Sequence, residues 1–240
     1  MKRAIIVGAS SGIGAALAWE LDQAGWRLGL LARRTDALAS VSSRLTNAVS
    51  GPCDVTNSAE AVSALNRMVA TLGGVELVVI AAGTGEINRS LEWRLEKTTI
   101  DTNVTGFAAL ADAAFHHFTE REAGHLVGIT SILALRGSGA APAYAASKAF
   151  QSLYLDGLRA LAVSKKWAVT VTEAQPGFVD TAMMKTDQPF WVASPETAAR
   201  QIRQAIDQKR SHVYVTPRWR LIGWLFKLLP RPGTRKWLKI

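Results

Sequence analysis

The sequence predicts one doubly wound α/β domain with a seven-stranded parallel sheet, followed by a basic amphipathic extension. Apolar runs rich in Val, Ile and Leu alternate with longer segments of helical period. Such runs are typical of parallel strands that helices cover on both faces. A chain of 240 residues with 48% hydrophobic content can bury one sizeable core of this kind.

The strands are expected at apolar runs that follow one another without an internal repeat or a low-complexity linker. They are Arg3–Val7, Arg27–Ala32, Leu45–Cys53, Val75–Ala81, His125–Thr130, Val169–Ala174 and His212–Val215. A mixed-charge helix over Pro195–Gln208 precedes the last strand, after which basic and aromatic residues dominate. We therefore expect an α/β domain over residues 1–215 and a basic, Trp-rich extension over residues 216–240.

The first strand leads into a glycine-rich turn, Gly8-Ala9-Ser10-Ser11-Gly12-Ile13-Gly14, and then into a helix over Ala15–Ala24. Glycines permit a close backbone approach to a pyrophosphate, and a helix N-terminus offers unpaired N–H groups and a positive dipole end. The pattern predicts an anion site, with a ligand-free turn as the alternative. The spacing G-x-x-x-G-x-G differs from the commoner G-x-G-x-x-G, which indicates a narrower group of nucleotide-binding proteins.

The ends of the second and third strands indicate which dinucleotide this turn would hold. An NAD site places Asp or Glu after the second strand, whereas this chain has Ala32 followed by Arg33 and Arg34. Two guanidinium groups and no carboxylate favour the 2′-phosphate of NADP(H), although paired arginines are also common as solvated residues. After the third strand, Asp54 in Cys53-Asp54-Val55 is placed to meet an adenine amino group.

Tyr144 and Lys148 form a candidate acid/base pair, because residues four apart on a helix over Ala143–Leu161 face the same side. The spacing alone is a weak signal, since such pairs also arise by chance on helix surfaces. Ser131 strengthens the signal because it lies where the fifth strand ends, and ligands bind at strand carboxyl ends in open α/β sheets. A hydroxyl there can hydrogen-bond a substrate carbonyl while Tyr144 donates a proton.

Acid/base chemistry by a tyrosine near neutral pH requires a lowered pKa. A free tyrosine titrates near ~10, so about three units, or roughly 4 kcal/mol, must come from its surroundings. One lysine charge at about 5 Å, with an effective dielectric near 20, supplies on the order of 3 kcal/mol. We therefore expect Lys148 to lower the pKa of Tyr144, with a cationic nicotinamide providing the remainder.

With these motifs in this order, the chain resembles the single-domain branch of the short-chain dehydrogenase/reductase family, which has a Rossmann fold, from Arg3 to about Val215. The resemblance implies that Ser131 orients substrate and that Tyr144 transfers the proton. It implies that Lys148 binds the ribose and lowers the tyrosine pKa, and that Asn103 holds a water in a proton relay. The implied cofactor-binding set is Gly8, Ser10, Ser11, Gly12, Ile13, Gly14, Arg33, Arg34, Asp54, Val55, Ala82, Gly83, Tyr144, Lys148, Pro176, Gly177, Val179 and Thr181.

Two positions depart from the family pattern. Val7 stands where a threonine usually precedes the first glycine, and Ala81 stands where an asparagine is usual before Ala82 and Gly83. Because that asparagine mainly stabilises the sheet and the cofactor wall in the family, we expect the chemistry to persist. The local hydrogen bonding at Ala81 is left open.

The substrate side is expected to be covered by a short lid over residues 182–192. Its Met and aromatic content suggests an apolar substrate, while packing of the same residues on the body is an equal alternative. Metal is not expected, because His116 and His117 are adjacent on a helix and would point in different directions.

The net charge of +9 is concentrated in the extension, since Lys209 to Ile240 holds nine basic residues and no acidic one. A helix over Trp219–Leu229 would be about 17 Å long, too short for a hydrocarbon core of about 30 Å. A basic, Trp-rich amphipathic helix suits the surface of an anionic membrane. Burial against the body or a partner subunit is the equal alternative. Nucleic acid ranks below both, because no recognised binding motif accompanies the charge.

We expect a cytoplasmic enzyme, because Cys53 is the only cysteine and the start lacks a signal-peptide pattern. Because of the basic extension, the alternative location is peripheral association with the inner face of the membrane. The expected reaction is reversible hydride transfer between NADP(H) and a carbonyl/alcohol pair, with reduction of an apolar ketone or aldehyde favoured. The family implies a homodimer or homotetramer. A non-catalytic NADP(H)-sensing protein is the rival, and a sugar-nucleotide epimerase or dehydratase is disfavoured by the missing substrate domain.

Overall fold

The computed structural model describes residues 1–185 and 189–228, and these form a parallel sheet with helices on both faces. The strands are β1 Arg3–Val7, β2 Arg27–Ala32, β3 Ala48–Pro52, β4 Leu77–Ile80, β5 Ala123–Ile129, β6 Ala168–Pro176 and β7 His212–Val215. Their order across the sheet is β3-β2-β1-β4-β5-β6-β7. The order reverses between β1 and β4, which opens a crevice at the carboxyl ends of the strands.

The helices alternate with the strands as the sequence pattern predicts. They are α1 Gly12–Gln23, α2 Thr35–Ser42, α3 Ser58–Leu72, α4 Trp93–Ile100, α5 Phe107–Thr119, α6 Pro142–Lys165, α7 Pro195–Asp207 and α8 Trp219–Leu228. A π-helical turn, Asp101–Gly106, joins α4 to α5, and a 3₁₀ turn, Ile132–Leu135, follows β5. The predicted doubly wound, seven-stranded fold is confirmed.

The sheet separates two hydrophobic cores. On one face, Phe107 and Phe118 of α5 and Leu155 of α6 are fully buried against the strands. On the other face, Leu17 of α1 and Ile202 of α7 are buried in the same way. Burying one large aliphatic or aromatic side chain stabilises the fold by roughly 1.5–3 kcal/mol, so both helix layers are held firmly to the sheet.

The third strand begins three residues later than the sequence pattern indicates, at Ala48 rather than Leu45. The cause is the buried carboxylate of Asp22, whose Oδ1 accepts hydrogen bonds from the N–H groups of Thr46 and Asn47 at 3.0 and 3.2 Å. These bonds hold the approach to β3 as a turn, which an apolar run alone does not reveal.

The C-terminal helix α8 packs one face on the body of the domain. Trp219 is 2% exposed, and a Cβ added at Gly223 would lie 2.7 Å from the hydroxyl oxygen of Tyr214 on β7. Leu221 and Trp224, on the other face, are 64% and 52% exposed. Leu229 and the remaining residues of the extension lie outside the described part of the chain. Within that part, no helix has the length and apolar content needed to cross a membrane.

Candidate active site

The glycine turn after β1 has no room for larger side chains. Gly8 and Gly12 have φ angles of +92° and +56°, and a Cβ at Gly14 would lie 2.3 Å from the carbonyl oxygen of Gly8. Among the described residues, no side chain hydrogen-bonds to the first turn of α1, and that turn contains no acidic residue. The N–H groups at this helix end are therefore placed to receive an anion.

Basic side chains border this turn on the β2 side. Nη2 of Arg34 donates hydrogen bonds to the hydroxyl oxygens of Ser11 and Ser10, at 2.5 and 3.1 Å. Burial raises the pKa of Asp54, but hydrogen bonds from Thr56 and the charge of Arg33 outweigh burial, so the pKa is lowered overall. Since Oδ1 of Asp54 accepts both the N–H and the hydroxyl of Thr56, at 3.0 and 2.8 Å, contact with an adenine amino group stays a prediction.

The segment after β6 forms the wall opposite the glycine turn. A Cβ at Gly12 would lie 3.1 Å from Cγ2 of Thr181, and Val179 pairs with Ala193 in an isolated bridge. At Gly177 the place of a side chain is taken by the indole ring of Trp219, which a Cβ would approach to 1.8 Å. A cleft with side-chain-free glycines, an uncapped helix end and adjacent guanidinium groups fits a phosphorylated dinucleotide. Pro176 ends β6 beside this cleft.

Ser131 and Tyr144 meet at the carboxyl end of β5. Ser131 is buried and caps the 3₁₀ turn, its hydroxyl oxygen accepting the N–H of Leu133 at 3.2 Å. Tyr144 lies in the first turn of α6, and a Cβ at Gly85 would lie 2.4 Å from its ring. Burial raises the pKa of Tyr144, while a hydrogen bond with Ser131 acts in the opposite direction.

Lys148 lies in the buried layer beneath the tyrosine. Its Nζ donates to the carbonyl oxygen of Ile129 and to Oε1 of Gln151, both at 2.9 Å, and lies 5.8 Å from the centroid of the Tyr144 ring. Burial lowers the pKa of Lys148 to about 7. The structure thus differs from the expectation that Lys148 lowers the pKa of Tyr144. In the protein alone, burial disfavours both charged forms, so the tyrosine pKa is raised instead.

Asn103 is fully buried in the π-helical turn between α4 and α5. Its Oδ1 accepts the N–H of Thr84 at 2.9 Å, and its Nδ2 donates to the carbonyl of Thr84 and to the hydroxyl of Ser147, at 2.7 and 3.0 Å. Its main-chain carbonyl accepts Nε2 of Gln151 at 2.9 Å. Asn103 therefore ties the loop after β4 to α6, and a water held in a proton relay stays a prediction.

The segment after β4 explains how the family departure at Ala81 is accommodated. The N–H of Ala81 donates to the carbonyl of Val7 at 2.8 Å, and the Ala81 methyl packs against the core. Ala82 approaches the turn so closely that a Cβ at Gly8 would lie 2.4 Å from its nitrogen. A Cβ at Gly83 would lie 3.5 Å from Nζ of Lys148. Small residues here let the strand end pass directly over the lysine.

Other cofactor-site candidates contribute through packing. Ile13 packs against the α1–α7 core, and the carbonyl oxygen of Val55 would lie 2.1 Å from a Cβ at Gly106, the last residue of the π-helical turn. In residues 1–185 and 189–228, no group of three His, Cys, Asp or Glu side chains is arranged as metal ligands.

Sequence reasoning missed Gln151 and Glu96. Gln151 is completely buried and links the lysine to the carbonyl of Asn103. The sequence contained a signal for Gln151, because this residue follows Lys148 by three positions on a helix and is polar on a face that enters the core. Oε2 of Glu96 accepts the N–H of Ala143 at 3.1 Å and so places a negative charge at the N-terminus of α6. The sequence offered no signal for that long-range cap.

Known proteins resemble this chain over most of its length. A family model described as short chain dehydrogenase matches residues 2–190. An uncharacterized oxidoreductase of Myxococcus xanthus is 32% identical over 96% of this chain and 94% of its own length. One of Mycobacterium tuberculosis is 30% identical over 96% of this chain and 95% of its own length.

Solved structures share the fold. A short-chain dehydrogenase from Streptomyces avermitilis has a TM-score of 0.83 at 24% identity and covers 98% of this chain and 96% of its own. A short-chain dehydrogenase from Sphingobium yanoikuyae in complex with NADPH has a TM-score of 0.81 at 20% identity. The match covers 96% of this chain and 97% of the Sphingobium yanoikuyae chain.

The glycine turn yields a direct test. Gly14→Ala would force a Cβ to 2.3 Å from a backbone oxygen, so the turn must shift, and NADPH affinity is expected to fall by at least ~10-fold, or about 1.4 kcal/mol. Gly157→Ala is the control, because a Cβ there meets nothing within 4 Å and alanine favours the helix by up to about 1 kcal/mol. NADPH fluorescence titration measures both. Unchanged affinity in Gly14→Ala would contradict the assignment of the turn.

Proposed function

Because the chain belongs to the short-chain dehydrogenase family of oxidoreductases, we propose that it transfers a hydride reversibly between NADP(H) and a carbonyl/alcohol pair. Reduction of an apolar ketone or aldehyde is the proposed direction. The observation that carries the proposal is the grouping of Ser131, Tyr144 and Lys148 at the carboxyl end of β5, beside the glycine turn. Strand carboxyl ends are where such sheets bind their ligands.

In this proposal the hydroxyl of Ser131 hydrogen-bonds the substrate carbonyl and Tyr144 supplies the proton. The nicotinamide, when bound, supplies the hydride to the carbonyl carbon. As negative charge develops on the carbonyl oxygen, Oη of Tyr144 transfers its proton to that oxygen and becomes a phenolate. Burial raises the pKa of Tyr144, so the phenol is protonated at neutral pH, as a tyrosine with its ordinary pKa near ~10 also is, and it is available as the proton donor.

Lys148 would stabilise the phenolate left behind and bind the cofactor ribose. Its hydrogen bonds to Ile129 and Gln151 hold the amine beneath Tyr144, where an ammonium charge acts across a region that is poor in water. Because burial brings the pKa of Lys148 to about 7, this charge is fully present only below neutral pH in the free protein. Asn103 is proposed to hold the relay water.

The preference for NADP(H) rests on Ala32, Arg33 and Arg34. Arg34 already lies against the two serines of the glycine turn, where a 2′-phosphate would add charge-assisted hydrogen bonds. An alcohol dehydrogenase from Thermococcus sibiricus with the same fold was solved with 5-hydroxy-NADP, and the Sphingobium yanoikuyae structure contains NADPH. The NADP-type cofactors in these two structures of the same fold support the proposed preference for NADP(H).

The assembly and location are also proposed. A homodimer or homotetramer would cover apolar side chains on the helices near the site, since Trp93 of α4 and Leu153 of α6 are 67% and 74% exposed. We propose a cytoplasmic catalytic domain over residues 1–215 whose extension associates with the inner face of the membrane. The concentration of positive charge after Lys209 and the exposed apolar face of α8 support that association. A non-catalytic protein that senses the cofactor would have no use for a proton donor placed beside a buried lysine.

Replacing the proton donor tests the mechanism. Tyr144→Phe removes the hydroxyl and keeps the ring that packs on Gly85, so kcat for ketone reduction should fall by about 10²–10⁴-fold. NADPH affinity should stay within about threefold, because the change removes one hydroxyl and no charge. Retained turnover would contradict the mechanism, whereas equal loss of binding would point to a disturbed fold.

Cofactor choice is tested at Arg34. Arg34→Ala should raise KM for NADPH by roughly 10–100-fold, the value of a lost hydrogen bond to a charged group, and leave KM for NADH unchanged. Arg27→Ala is the matched control, because Arg27 is an exposed arginine at the opposite end of β2. Steady-state kinetics with both cofactors decide the matter. An equal effect of Arg34→Ala on NADPH and NADH would overturn the proposed preference.

The buried lysine predicts a pH dependence. Because kcat/KM for NADPH reports groups of the free enzyme, it should fall as pH rises through about 7 and Lys148 loses its proton. Gln151→Leu removes an acceptor of the ammonium, which lowers the pKa of Lys148 further and moves the midpoint to lower pH. Lys148→Arg, charged at every pH tested, should have lower activity and no such limb. Identical profiles for wild type and Gln151→Leu would show that Gln151 has no such influence.

A further inference from the structure

The helix α8 has two apolar faces, and within residues 1–185 and 189–228 one of them packs on the body while the other stays exposed. Trp219 and Gly223 pack inward on the segment after β6 and on β7. Outward-facing residues recur at helical spacing and remain 45–82% exposed: Leu221, Trp224, Leu225 and Leu228. An apolar stripe at i, i+3, i+4 and i+7 matches the pattern by which a helix buries itself against an apolar partner.

This helix is part of the rim of the active site. The ring of Trp219 packs against Gly177, which belongs to the cofactor-binding set implied by the family resemblance. Near the other end of α8, Arg136 donates to the carbonyl oxygen of Phe226. Arg136 directly follows the 3₁₀ turn that Ser131 caps. Both walls of the site are therefore attached to α8.

Of the expected lid, residues 186–188 lie outside the described part of the chain, and Phe190 and Trp191 adjoin the same helix. Phe190 and Trp191 pack on Trp219 with ring centroids 5.1 and 5.9 Å apart, yet they are 41% and 39% exposed. Met183, on the inner side of the lid, lies next to the catalytic groups, because a Cβ at Gly83 would be 3.9 Å from its methyl carbon and 3.5 Å from Nζ of Lys148. Apolar side chains of the lid therefore lie both against α8 and near the lysine.

The charge of the residues on and near α8 indicates which kind of partner covers its exposed apolar face. Arg218 and Arg220 are exposed on and beside α8, the guanidinium of Arg220 lying 4.8 Å from the ring centroid of Trp224. The chain from Lys209 onward carries nine basic residues and no acidic one. A second copy would bring two such basic segments together across a twofold axis, which is unfavourable. An anionic bilayer attracts them and accepts the apolar stripe in its interface.

We propose that the exposed faces of α8 and of the lid residues Phe190 and Trp191 form one bilayer-docking surface, and that the substrate is a carbonyl lipid dissolved in the membrane. The docking surface comprises Phe190, Trp191, Leu221, Trp224, Leu225 and Leu228. A helix of ten residues is about 15 Å long, so it lies in the interface and does not span it. Docking in this way sets the lid against the lipid, and the apolar tail of the substrate can enter the site without crossing water. This inference rests on the proposed carbonyl reduction.

The test uses the full chain with NADPH and two ketones. A long-chain methyl ketone is carried in vesicles of phosphatidylcholine alone or of equimolar phosphatidylcholine and phosphatidylglycerol, and a short ketone is supplied in water. The variant is Trp224→Glu, which places a carboxylate in the outer stripe. The matched control is Trp19→Glu, because Trp19 is 49% exposed on α1, on the far side of the sheet from α6.

Wild type and Trp19→Glu should co-sediment with the anionic vesicles and reduce the vesicle-borne ketone roughly tenfold faster than from neutral vesicles, as expected for interfacial attraction of a polybasic segment. Trp224→Glu should lose co-sedimentation and that gain while reducing the short ketone at the wild-type rate. Equal behaviour of the two variants would overturn the docking surface. Co-sedimentation without a gain in rate would overturn delivery from the bilayer.

Two further results separate other causes. If NADPH is oxidised with neither ketone, the proposed carbonyl reduction is wrong, and so is the proposed delivery of substrate from the bilayer. The co-sedimentation result would still test the docking surface by itself. Light scattering after size-exclusion chromatography should give the same mass for Trp224→Glu and wild type. A smaller mass for Trp224→Glu would show that a second copy of this chain, and not a bilayer, covers the exposed face of α8.

Discussion

The arrangement of the site depends on the burial of one amine. Lys148 is 3% exposed, and its nitrogen must find acceptors inside the protein because an unsatisfied buried amine costs several kcal/mol. It finds them in the carbonyl of Ile129, at the end of β5, and in the side chain of Gln151, which also reaches Asn103. These bonds fix α6 against the strand end and the π-helical turn. Tyr144, one helical turn earlier on α6, is thereby set beside Ser131.

Much of this was predictable because it follows from local chemistry. The glycine turn and the run of apolar strands require particular residue types at fixed spacings, so the fold and the grouping around Tyr144 could be expected from the sequence. The sign of the tyrosine pKa shift could not, since it depends on how much water burial removes from both groups. The cap of α6 by Glu96 joins residues 47 positions apart, a relation that no local pattern contains.

The packing of the C-terminal helix also could not be predicted from the sequence. The sequence permits burial against the body or contact with lipid, and periodicity does not choose between them. In the structure α8 buries Trp219 and Gly223 and leaves Leu221 and Trp224 exposed. Which face turns inward is decided by the shape of Gly177 and Tyr214, which accept an indole ring and a glycine respectively. Helix α8 therefore packs directly on the wall of the candidate active site.

The most direct measurement of the central claim is a carbonyl screen with NADPH and NADH in parallel, including long-chain and hydrophobic ketones, followed by loss of absorbance of the reduced nicotinamide. The cluster of Ser131, Tyr144 and Lys148 predicts turnover with apolar ketones or aldehydes, faster with NADPH than with NADH. Tight NADPH binding without turnover across the whole panel would contradict the claim and favour a protein that senses the cofactor without chemistry.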